Sequence, residues 1–106
     1  MRYRAVALSS LLSHDPRAAA RFIETELGVL STETDANRRL RATLATWFEE
    51  GMSWGKTAQR LGVHQNTVIY RARRAEELLG RPLTERRLEL EAALRLADLQ
   101  DALRKA

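Results

Sequence analysis

The sequence has no cysteine and only two histidines, His14 and His64, set far apart in the chain. Without thiols there is no disulfide framework, no thiolate zinc site and no cysteine nucleophile. Two distant imidazoles do not make a local metal motif. No apolar run approaches the roughly 20 residues that a membrane span needs. The first residues carry two arginines and no long apolar stretch, which argues against a secretory leader and for a cytoplasmic protein. Glycine (five) and proline (two) are scarce, and there is no internal repeat or low-complexity linker. No glycine loop could cradle a phosphate, and no nucleophile, base and orienting group stand together. The expectation is therefore a non-enzymatic protein without cofactor or metal.

What remains is a chain of 106 residues, 44% hydrophobic and 30% charged, the composition of one soluble globular domain. A chain of this size buries about two-thirds of the surface it exposes when unfolded. Its net charge is +4, from 18 basic and 14 acidic side chains. That charge is unevenly placed. Residues 1–50 hold seven of each sign and cancel, whereas Gly51–Ala75 holds Lys56, Arg60, Arg71, Arg73 and Arg74 and no acid. A local excess of this kind says more about partners than the total does.

Apolar spacing predicts helices throughout, with no strong strand signal, so the fold class is all-α, a bundle of about five helices. Asp15 and Pro16 read as N-cap and first residue of a helix running to Leu27, with Phe22, Ile23 and Leu27 inward and Gly28 as its stop. Leu40, Leu44, Trp47 and Phe48 recur at i, i+4, i+7, i+8 and predict a helix over Asn37–Glu50 ended by Gly51. Ser53 caps a short helix with Trp54, Ala58 and Leu61 inward. A further helix runs from about Gln65 to Leu79, with Val68, Ala72 and Ala75 inward. Thr84 is expected to cap a last helix reaching about Arg104, whose apolar face exceeds the needs of one packing partner. Tyr3, Val6, Leu8, Leu11 and Leu12 fit neither helical nor strand period. The pairs Glu49-Glu50 and Glu76-Glu77 read as solvated charges rather than an acid/base pair.

Between Ser53 and Ala75 the pattern is that of a helix-turn-helix. Ala58 permits close crossing, Gly62 makes the turn four residues later, Val63 and Val68 cover the inner side, and Leu61 anchors the first helix. The outer face of the second helix then presents Gln65, Asn66, Ile69, Tyr70, Arg73 and partly Arg74. Gln and Asn can read adenine edges in a major groove, and Arg can reach guanine or phosphate. Thr67 and Tyr70 carry hydroxyls suited to phosphate oxygens. The expected DNA-contacting set is Lys56, Thr57, His64, Gln65, Asn66, Thr67, Ile69, Tyr70, Arg71, Arg73 and Arg74, with His64 also suited to a cap.

The runs L-R-A-T-L-A-T-W-F-E-E-G, T-A-Q-R-L-G-V-H-Q-N-T-V-I-Y-R and R-A-E-E-L-L-G-R-P-L, followed by the leucine-rich last helix, carry a family resemblance. Leu40–Leu103 resembles the C-terminal helix-turn-helix domain of PucR/CdaR-type bacterial transcriptional regulators, which is similar to that of Fis-type proteins. The block V-H-x-N-T-V-x-Y-R, over Val63–Arg71, is its most specific part. The chain departs from the family pattern at Gln65 and Ile69, where basic residues are common, and at Ala72 and Ala75, where larger aliphatics are. The resemblance implies that residues 65–79 form a recognition helix and that the protein acts at the bacterial nucleoid. It also implies that any small-molecule effector binds domains upstream of this chain. On that reading residues 1–34 are an N-terminal tail and linker helix, a remnant of such a domain, and residues 35–106 are the DNA-binding domain. The expected partners are double-stranded DNA and a second copy of the chain, with no membrane. The last helix, or Phe22 and Ile23, would supply the dimer contact. The alternative is a helical protein-interaction or dimerisation module that has lost DNA binding, to which Gln65 and Ile69 lend themselves.

Overall fold

The computed structural model describes Ser10 and residues 14–105. Tyr3, Val6, Leu8, Leu11 and Leu12 lie outside the described residues. Among those described, five α-helices follow one another: α1 (Pro16–Leu27), α2 (Asp35–Glu49), α3 (Trp54–Leu61), α4 (Gln65–Leu79) and α5 (Arg87–Lys105). A 3-10 turn at Gly28–Ser31 joins α1 to α2. The all-α expectation holds.

The helix starts follow from side-chain capping of otherwise unpaired N–H groups. Asp15 accepts from the N–H of Ala18 at 3.0 Å, with Pro16 in the first turn. Thr34 accepts from Asn37 at 3.1 Å, Ser53 from Lys56 at 3.1 Å, and the His64 ring nitrogen from Asn66 at 3.1 Å. The turn between α3 and α4 is a Schellman closure. The Val63 N–H reaches back to the Ala58 carbonyl at 3.0 Å and the Gly62 N–H to that of Gln59 at 3.3 Å. This geometry puts Gly62 in the left-handed region, φ 70°, where a side chain would be strained.

Helix α2 is central and packs against α3, α4 and α5, while α5 also packs along α1. Leu40, Leu44, Trp47 and Phe48 of α2 are all buried, as the spacing predicts. Leu27, Leu30, Leu44, Val68 and Leu90 are fully enclosed. Each contributes on the order of 1.5–3 kcal/mol of transfer free energy before entropy is counted. Trp54 stacks on Trp47 with centroids 4.8 Å apart, and packs on the core cluster that includes Ala72 and Ala75. Ala72 and Ala75 are both buried in that cluster.

Two expectations need correction. The last helix begins at Arg87, not at a Thr84 cap. Leu83–Arg86 instead form turns, with Arg86 at φ 53° and its guanidinium donating to the Glu26 carboxylate at 2.8 Å. Glu26 is itself buried at the end of α1 and also accepts from Arg81. A buried charge of this kind is retained only when paired, and here the pairing decides where the chain turns. The wide apolar face of α5 is also explained within one chain. Leu90, Leu94, Leu96 and Ala97 are buried in a helix that serves two partners, α1 and α2, and Ile23 is 5% exposed. Ile23 is thus not available to a second copy; Leu88 and Leu103 remain exposed on α5.

Candidate nucleic-acid interface

Helix α4 lies with Val68, Ala72 and Ala75 against the core. A 3.6-residue period then places Asn66, Tyr70 and Arg73 on the opposite side. All three are exposed, Tyr70 at 68%. Gln65 is exposed at the first turn, with its amide oxygen over Gly55 of α3. Lys56, on the first turn of α3, is exposed as well. Ile69 and Thr67 flank the outward ridge and are half-buried. His64 is exposed, but one ring nitrogen is occupied as the cap of α4.

Two residues of the expected set are placed differently. Thr57 is fully buried, and its hydroxyl donates to the Ser53 carbonyl at 2.7 Å. Its side chain fastens the first turn of α3 and faces no ligand. The reason is positional: Thr57 and Ala58 share the inward side of an eight-residue helix. Arg71 is half-buried and turns toward α2, donating to the Thr43 hydroxyl at 3.3 Å. It lies off the ridge formed by Asn66, Tyr70 and Arg73.

The electrostatics are also sharper than the linear charge pattern. The acid-free stretch is bordered by carboxylates that fold back on it. Arg60 is held by Glu49 at 2.7 Å and Glu50 at 3.1 Å. Those bonds, Glu49's first, raise its already high pKa and use up its charge locally. Glu49 and Glu50 are thus ion-pair partners rather than free solvated charges. Glu76 likewise accepts from the N–H of Leu83 at 3.0 Å and helps end α4. Arg73 and Arg74 have only partners one turn on, half-buried Glu76 at 3.9 Å and exposed Glu77 at 3.2 Å. Such pairs are worth a few tenths of a kcal/mol, about the scale of helix i,i+4 pairs, and yield readily to another anion. Lys56 makes no ion pair among the described residues.

One exposed cation is absent from the sequence reading. Arg39 of α2 lies beside Arg71 and Arg74. It belongs to a half of the chain whose charges cancel in number, and only folding brings it next to α4.

Helices α2, α3 and α4 thus form a trihelical unit with an exposed polar ridge on its last helix. The profile of the PucR C-terminal helix-turn-helix domain matches residues 40–96. The chain belongs to that family. Among its PucR-type relatives, the purine catabolism regulatory protein of Bacillus subtilis is 38% identical over 81 residues, covering 74% of this chain and 15% of that protein. The transcriptional activator PmfR of Paenarthrobacter nicotinovorans is 32% identical over 74 residues, covering 70% of this chain and 16% of its own length. The carbohydrate diacid regulator of Escherichia coli is 42% identical over 64 residues, covering 58% and 17%. The chain thus spans less than a fifth of these three regulators. No solved structure matches it. This PucR-type domain is the helix-turn-helix of a family of transcriptional regulators, a class distinct from enzymes. Among the described residues no helix is long and apolar enough to cross a membrane.

Proposed function

We propose that this PucR-type domain binds duplex DNA in a sequence-specific manner, with α4 lying in the major groove. The observation that carries the reading is the ridge of Asn66, Tyr70 and Arg73, exposed on a helix whose other side is buried. Gln65 and Asn66 sit at the N-terminal end, the part of a recognition helix that contacts base edges. The likeness to a purine catabolism regulatory protein and to a transcriptional activator supports a role in transcription. Residues 35–106 would act as the DNA-binding domain, and residues 1–34 would join it to effector-binding domains elsewhere in the protein. Two copies would occupy half-sites about one helical turn, roughly 34 Å, apart. The place of action would be the cytoplasm, at the bacterial nucleoid.

A shift assay against labelled duplex, with random competitor DNA at low and moderate salt, tests this. Specific binding that survives competitor supports it. Association with protein partners and none with any duplex would favour the interaction-module alternative.

A further inference from the structure

A second basic surface lies beside the ridge of α4. Along the seam between α2 and α4 runs a groove of about 400 Å³, bordered by Arg39 and Leu40 of α2 and by Tyr70, Arg71, Arg74 and Leu78 of α4. Three guanidinium groups reach it from two helices.

Arg71 is the telling one. Half-burial of a cation is costly unless an anion faces it. Elsewhere, buried Arg41 has Glu33 at 2.7 Å and Asp101 at 3.4 Å, and half-buried Arg81 has Glu26 at 3.4 Å. Half-buried Arg95 of α5 has no carboxylate within ion-pair distance among the described residues, but unlike Arg71 it has no second guanidinium beside it in this groove. Arg71 has a neutral hydroxyl, that of Thr43. Thr43 is 1% exposed and fixed in turn by donating to the Arg39 carbonyl at 2.9 Å. Among the described residues neither Arg39 nor Arg71 has a carboxylate within ion-pair distance. Arg74 has only exposed Glu77. The groove is therefore built for an anion that the described part of the chain does not supply.

The position says which anion. A helix with its side chains is about 10–12 Å across, and the major groove of B-DNA is about 12 Å wide. A helix seated there brings its flanks against the phosphate strands. The groove lies on such a flank, about a quarter-turn from the ridge of Asn66, Tyr70 and Arg73. Guanidinium forks match phosphate oxygens.

We infer that the groove between α2 and α4 is a phosphate site. It takes the sugar–phosphate strand bordering the DNA groove entered by α4, with Arg39 and Arg71 donating to phosphate oxygens and Arg74 at the rim. This rests on the DNA-binding reading above. It adds α2, outside the helix-turn-helix, to the interface, and assigns Arg71 to the backbone rather than to bases.

The test uses Arg39→Gln and Arg39→Lys in the full 106-residue chain. Arg39 is exposed, so neither change disturbs the core. Binding to a selected duplex and to a random duplex is titrated across salt. The glutamine variant is expected to weaken both by about 5- to 10-fold, with the log–log salt slope shallower by about 0.9 and the preference between duplexes unchanged. The lysine variant recovers most of the loss. Wild-type affinity and slope in Arg39→Gln would overturn the phosphate site and leave the DNA reading standing. Loss of preference at unchanged slope would also overturn it, by making Arg39 a base reader. Failure of the wild-type chain to bind any duplex would overturn both.

Discussion

Tyr70 and Thr57 show how much a single residue's meaning depends on its side of a helix. Both carry a hydroxyl within a basic stretch. Tyr70 is exposed on the outer ridge, whereas Thr57 is enclosed and bonded to Ser53. Replacing Thr57 by Val removes one buried hydrogen bond while keeping the shape. We expect a loss of about 1 kcal/mol in stability, read as a lower thermal midpoint, with DNA affinity per folded molecule unchanged. Arg73→Ala should do the opposite. It should weaken DNA binding by about 1–3 kcal/mol if Arg73 reads a base and leave the melting curve unaltered. A lowered midpoint in Arg73→Ala, or a lost affinity in Thr57→Val, would mean that the inner and outer faces of the helix pair are reversed. The inward positions Val68, Ala72 and Ala75 were legible from spacing alone, and so was the ridge opposite them. The burial of Thr57 was also implicit in its neighbour Ala58, but its hydroxyl suggests a polar contact more strongly than its position suggests a core.

At the scale of elements, local signals and structure agree wherever an element is closed by its own residues. Asp15, Ser53 and Gly62 punctuate the helices because caps and left-handed turns need nothing beyond a few neighbours. Gly62→Ala should cost about 1 kcal/mol, since φ 70° strains any side chain there. The loss would appear in thermal or denaturant unfolding, and a neutral result would contradict the Schellman turn. The start of α5 was not legible, because it is set by a contact between distant segments. Arg86 takes a left-handed φ and pairs with Glu26, sixty residues away in sequence. That pairing lowers the Glu26 carboxyl pKa, chiefly through the Arg86 hydrogen bond and against the opposing effect of burial. A depressed folded value means the contribution is present above the unfolded pKa, about 4.3, and is lost as pH falls through the folded one. The midpoint should therefore drop on acidification below about pH 4. Glu26→Gln should cost about 2–3 kcal/mol at neutral pH, allowing for the half-exposed Arg86, and should lack that part of the acid dependence. A variant as stable as wild type would remove Glu26 from the account of how α1 is tied to the α4–α5 turn.

For the whole molecule, the net charge of +4 is permissive, and its distribution after folding carries the argument. Arg60 is withdrawn by Glu49 and Glu50. Arg39 is added from α2. What results is an outward ridge on α4 with a basic groove along one flank, on a scaffold where α2 touches three other helices. The same scaffold uses most of the α5 leucines internally, which leaves Leu88 and Leu103 of that helix exposed, with Val29 exposed at the α1–α2 turn. The most direct measurement is selection of bound sites from a pool of random duplexes by the whole chain. The enriched site and a scrambled duplex are then titrated at about 50 and 200 mM salt, where phosphate contacts show most clearly. A reproducible enriched sequence is expected, bound more tightly than the scrambled one at both salts, with affinity falling steeply as salt rises. Absence of enrichment, or an affinity indifferent to salt, would contradict the DNA-binding reading.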